Sequence, residues 1–91
     1  MTVMNVTAKR YTAIGACGVN RSRIAAVQVT VGAGTGRLTI TDGSGGATKL
    51  DLDFVASDTF HVTLPGDGIL CDRDPQITVL TNISAVTLFF M

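Results

Sequence analysis

Few side chains in this 91-residue sequence are of types that do chemistry, and their spacing argues against most of it. His61 is the only histidine. It falls out of phase with Phe60, Val62 and Leu64, so it should face away from the main core. A catalytic histidine needs an orienting carboxylate and a nucleophile or substrate within reach. Asp51 or Asp53 could come from a neighbouring strand, but nothing places a nucleophile, and a solvent or subunit-contact histidine is the better reading. Asp42, Asp51 and Asp53 could be offered as paired carboxylates for glycoside hydrolysis. Asp51 and Asp53 share the polar face of one strand, as on any solvated strand. With no Trp and Tyr11 as the one tyrosine, an aromatic sugar platform is missing.

The remaining candidates are no stronger. Asp72-Arg73-Asp74-Pro75 is the densest charge cluster, but calcium needs six to eight oxygen ligands and the chain has no Glu to complete a loop. It reads as a turn with Arg73 available for an ion pair. Gly32-Ala33-Gly34-Thr35-Gly36 resembles a phosphate cradle, yet Arg37 opens another strand where a helix N-terminus or a Lys would be required. A hairpin loop accounts for it. Cys17 and Cys71 could close a long loop, worth a few kcal/mol, or remain two free thiols, and the sequence leaves both open. The sequence therefore implies no catalytic residue, no cofactor and no metal, and we expect a non-enzymatic protein.

The elements that would position these residues read clearly. Apolar and polar residues alternate with period two at Val27–Val31, Leu38–Ile40, Leu50–Phe54, Phe60–Leu64, Ile77–Thr81 and Val86–Phe90. Gly- and Asp-rich breaks separate these runs, and Pro65 and Pro75 sit at strand ends. The expected strands are 7–14, 22–31, 36–42, 48–54, 59–64, 69–71, 76–82 and 85–91. Seven to eight short strands at this spacing predict an all-β antiparallel sandwich or a jelly-roll-like barrel. Leu38 to Phe54 should form a hairpin across Asp42-Gly43. Ile24 is out of parity with Val27, which predicts a bulge near Ala25-Ala26. Gly15 to Asn20 is the least patterned stretch and reads as a surface loop. One domain over 1–91 is expected, with a basic, extended amino-terminal segment over 1–23.

Composition narrows the partners. Seven Lys plus Arg balance seven Asp, so formal net charge is zero and the footprint of a nucleic-acid binder is missing. No apolar run approaches the roughly 18 residues of a membrane span, and no secretory signal is visible at the start. Lys9, Arg10, Arg21 and Arg23 precede every acidic residue, and are the expected partner-binding residues toward an acidic protein surface. Charged residues make up 15% of the chain against roughly 25% in ordinary soluble domains, which leaves little to keep a monomer apart. Leu80, Leu88, Phe89 and Phe90 lie in stretches apolar on both faces and are expected in the core or in a subunit contact. Open strand edges add to the expectation of a homo-oligomer, a trimer being one form of it.

The segments Gly36-Arg37-Leu38-Thr39-Ile40-Thr41-Asp42-Gly43, Leu50-Asp51-Leu52 and Leu64-Pro65-Gly66-Asp67-Gly68-Ile69 carry a family likeness. With the closing strands Gln76–Asn82 and Ala85–Met91, residues 24 to 91 resemble small β-rich structural proteins of tailed bacteriophages. The resemblance implies a virion protein made in the host cytoplasm, foremost a capsid decoration (cement) subunit bound to the major capsid protein. A neck, tail or fibre component, or a receptor- or carbohydrate-binding module, is the alternative it implies.

Overall fold

The computed structural model describes residues 6–91. Nine strands run β1 (Thr7–Tyr11), β2 (Gly15–Ala16), β3 (Ser22–Val31), β4 (Gly36–Asp42), β5 (Thr48–Phe54), β6 (Thr59–Thr63), β7 (Ile69–Cys71), β8 (Pro75–Thr81) and β9 (Ile83–Phe90). They form two antiparallel sheets packed as a sandwich. The first has order β1-β9-β3-β6, with β7 also paired to β3; the second has order β2-β8-β4-β5. The all-β expectation holds, and seven of the eight expected strands match within a residue or two. The ninth is β2: the run expected at 7–14 stops at Tyr11, and Gly15–Ala16 joins the other sheet against Ile77 and Gln76.

Alternation decides what each strand buries. Val27, Val29 and Val31 of β3 face inward with Val86 and Leu88 of β9, while Leu38 and Ile40 of β4 meet them from the second sheet with Ile77 and Leu50. Each such side chain, taken fully out of water, contributes about 1.5–3 kcal/mol before entropy is counted. Phe54 and Phe60 close one flank between the sheets, their ring centroids 5.3 Å apart. Tyr11 closes the other flank, its hydroxyl donating to the Cys17 carbonyl at 2.7 Å.

Two bulges set the phase. The first lies between Ile24 and Ala26, so that Ile24 pairs with Phe90 and Ala26 with Phe89. It lets Ile24 and Val27 both point inward, as their broken parity requires. The second departs from simple alternation: β4 pairs Thr39 with Val79 but Ile40 with Ile77, leaving Thr78 as the extra residue. Ile77 and Leu80 therefore face the core and Val79 faces out, where period two alone would put Ile77 and Val79 together. Pro75 opens β8, the place in a strand where a missing N–H costs least. Gly68, at φ +79°, lets the β6–β7 turn lie directly on the Ile24 carbonyl, an approach any Cβ would block.

Of the segment 1–23 expected to be an extended amino-terminal arm, residues 1–5 lie outside the described residues, and from Thr7 onward it is built into the fold. The stretch expected as a surface loop, Gly15 to Asn20, contains β2 and the buried Cys17. One edge of each sheet is blunted: the edge strand β1 carries Lys9 and Arg10, and the edge strand β5 carries Lys49, Asp51 and Asp53, charges that discourage strand addition. The opposite edge strands, β6 and β2, carry no such charges.

Candidate functional site

Register distributes the charges unequally between the two outer faces. On the first sheet, Arg10 lies beside Thr87, which is followed across the sheet by Gln28 and His61. The adjacent row is Ala8, Phe89, Ala26 and Thr63. Beyond it Arg23 exchanges backbone hydrogen bonds with Met91 and pairs with Leu70. Phe89 is thus half-buried between the rows that hold Arg10 and Arg23. The His61 ring meets it edge-on at 5.8 Å, which confirms that both share this face. None of the five strands of this sheet contains an Asp. The face is apolar at its centre, cationic at two corners and without a carboxylate on its strands.

The second sheet's outer face is self-neutralising. Arg37 forks onto Asp51 with bonds of 3.1 and 3.0 Å, and the Thr39 hydroxyl donates to the same carboxylate at 3.0 Å. The guanidinium first, then the hydroxyl, holds the Asp51 carboxyl below its ordinary range. Asp42 is likewise lowered, chiefly by the backbone N–H of Arg73 at 2.8 Å. Both groups stabilise the fold above the unfolded carboxylate pKa of about 4, and that contribution is lost as pH falls through their lower folded values. Thermal midpoints should hold from neutrality to about pH 5 and then decline, with a shallower decline in Asp51→Asn. Equal acid slopes for parent and variant would remove Asp51 from the account. The pair is exposed, so the effect should also shrink in high salt.

The four cations expected to act together do not. Lys9 pairs with Leu88 and so points to the inner side of the first sheet, opposite Arg10. There it lines a cleft with Arg21, Ser22, Val19, Thr7 and Phe90. One wall of this cleft is made by Gly18 and Val19, in a loop that Asp74 holds. That carboxylate accepts the N–H groups of Gly18 at 2.9 Å, Val19 at 2.8 Å and Asn20 at 3.0 Å. Arg21 reaches Asp72 at 3.6 Å, with both side chains about two-thirds exposed.

No family model matches this chain, and no curated protein or solved structure matches it either.

The other sequence candidates find structural employment. Asp74 ties down a loop, Asp42 receives Arg73, and the described residues contain no group of three or more metal-ligating side chains. The Gly32–Gly36 loop is not the expected hairpin: it crosses from β3 of the first sheet to β4 of the second, its Gly32 N–H donating to the Asn82 carbonyl at 2.7 Å. Cys17 and Cys71 are both buried and unpaired. Burial pushes the Cys17 thiol up to about 11, so it stays protonated at neutral pH. Leu88 and Phe90 are core, Leu80 packs against the core, and Phe89 stands on the opposite face. Sequence reasoning missed Ser22, and it named Asp74 without finding its role as the anchor of a loop. Nothing local marks Ser22, and the loop that Asp74 holds lies more than fifty residues away along the chain.

Proposed function

We propose that this protein is a non-enzymatic virion structural subunit, a capsid decoration protein that binds the acidic surface of a shell protein. The observation that supports this reading is the outer face of the first sheet. Phe89, Ala8 and Ala26 provide apolar contact, Arg10 and Arg23 flank it, and no strand beneath carries an anion. Charge complementarity to an acidic partner would set register, and apolar burial at about 25 cal/mol per Å² would supply affinity. Repetition over many copies and association into a homo-oligomer would multiply a weak single contact.

Reversing Arg10 and Arg23 to Asp should reduce decoration of purified shells at least about tenfold, since like-charge contacts at an interface cost kcal/mol rather than tenths. The parent's binding should weaken from 0.1 to 1 M salt, as the Debye length drops from about 10 to about 3 Å. Unchanged decoration by the double variant would overturn the assignment of this face. Circular dichroism must show that the variant keeps its sheet content. Cryo-electron microscopy of decorated particles tests the capsid position directly, and density at the neck or tail would replace it.

A further inference from the structure

The cleft on the inner side of the first sheet is separate from the docking face and is used by nothing described so far. It measures about 310 Å³, at the lower end of the roughly 300–1,000 Å³ of ordinary ligand sites. Two cations from different elements, Lys9 of β1 and Arg21 before β3, converge on it. Among the described residues Lys9 forms no ion pair, and the contact of Arg21 with Asp72 is long and solvated, the kind worth little. The nearby Asp74 carboxylate is occupied by three backbone N–H groups. Ser22 also lines the cleft, and its Oγ is buried without any hydrogen-bond partner. An orphaned hydroxyl costs about 1–3 kcal/mol, and folded proteins seldom leave one.

We infer that this cleft is a binding site for a small oxyanion, a carboxylate or a phosphate. Arg21 supplies a planar fork that matches two oxygens of the anion, and Lys9 supplies a point charge. Ser22 lines the cleft, and a change between staggered χ1 rotamers is the step by which its Oγ would leave the orphaned position for the bound oxygen. The anion thereby satisfies the one described buried side-chain atom that lacks a partner. The site rests on Lys9, Arg21 and Ser22, so it stands or falls independently of Arg10 and Arg23.

The test is a nitrogen-15 NMR titration of the full chain at pH 7, with ionic strength held constant by chloride. One arm adds inorganic phosphate and the other adds acetate. Saturable shifts of the Arg21 and Ser22 amides in the low-millimolar range are expected in at least one arm. Saturation by phosphate alone identifies a phosphate site; saturation by acetate identifies a carboxylate site able to take an acidic side chain. Lys9→Gln and Arg21→Gln should each weaken binding about tenfold, as expected for loss of one charge-assisted contact. Ser22→Ala should weaken it several-fold while leaving the thermal midpoint unchanged or raised, because the orphaned hydroxyl is removed. Shifts that fail to saturate, or affinities identical in parent and Lys9→Gln/Arg21→Gln protein, would overturn the inference.

Discussion

Phe90→Ala should cost about 3–5 kcal/mol, the usual range for deleting a buried aromatic ring. Phe90 is 4% exposed and belongs to the core cluster, where the end of β9 meets Ile24 across the first bulge. Removing the ring leaves a void at a corner of the sandwich that neighbouring β-branched side chains cannot collapse into without leaving their rotamers. In a domain of this size each kcal/mol moves the thermal midpoint by roughly 4–8 °C, so a fall of about 12 °C or more is expected. Total stabilities of single domains are only about 5–15 kcal/mol, and the variant should sit close to unfolding at 37 °C. The adjacent residue provides the control. Phe89 points to the opposite face, half-covered by His61, and Phe89→Ala should cost about 1 kcal/mol. Equal losses from the two variants in denaturant titration would show that the inward assignment of β9 is wrong.

Asp74→Ala is expected to have the second largest effect, through backbone and not through packing. Its carboxylate holds the Gly18, Val19 and Asn20 amides, a set of three donors with no alternative acceptor nearby in the sheet ladders. Hydrogen bonds to charged groups contribute about 1.5–3 kcal/mol each, but Gly18 and Asn20 are exposed and water can replace their partner. A net loss of about 2–4 kcal/mol follows. The local consequence is more diagnostic than the global one. The Cys17–Asn20 segment covers the buried Cys17, and Tyr11 depends on the Cys17 carbonyl for its own hydrogen bond. Amide exchange at Val19 should lose its protection, and Cys17 should react faster with a thiol reagent while Cys71, buried in β7 and paired with Ser22 of β3, should not. Asp74→Asn keeps one carbonyl acceptor and should fall between parent and alanine. Unaltered exchange and labelling in Asp74→Ala would mean that the loop is held by something other than this carboxylate.

The two variants also mark where local sequence stops carrying information. Strand positions follow from period-two alternation because a pleated strand puts successive side chains on opposite faces whatever it pairs with. The same rule made the β3 bulge legible: Ile24 and Val27 can both be inward only if an extra residue lies between them. The β4–β5 hairpin was readable from its Asp-Gly turn, and its observed pairs, Arg37 with Asp53 and Leu38 with Leu52, follow from turn position. Amphipathic alternation and punctuation thus determined by themselves that this chain is an all-β antiparallel sandwich or barrel, and put Leu88 and Phe90 in the core or in a subunit contact; the packing of the two sheets decided for a sandwich with both in its core. Other features depended on partners distant in the chain. The bulge at Thr78 is set by how β8 meets β4, so Val79 turns outward against the apparent pattern. Lys9 and Arg10 are adjacent in sequence but lie on opposite faces of one strand, while Lys9 and Arg21 meet across a cleft that exists only once the Cys17–Asn20 segment is tied to Asp74. A cluster of cations in sequence is therefore divided between two faces in space. Alternation fixes which residues share a face of a strand, but pairing register and long-range hydrogen bonds fix which faces come together, and those are properties of the folded chain alone.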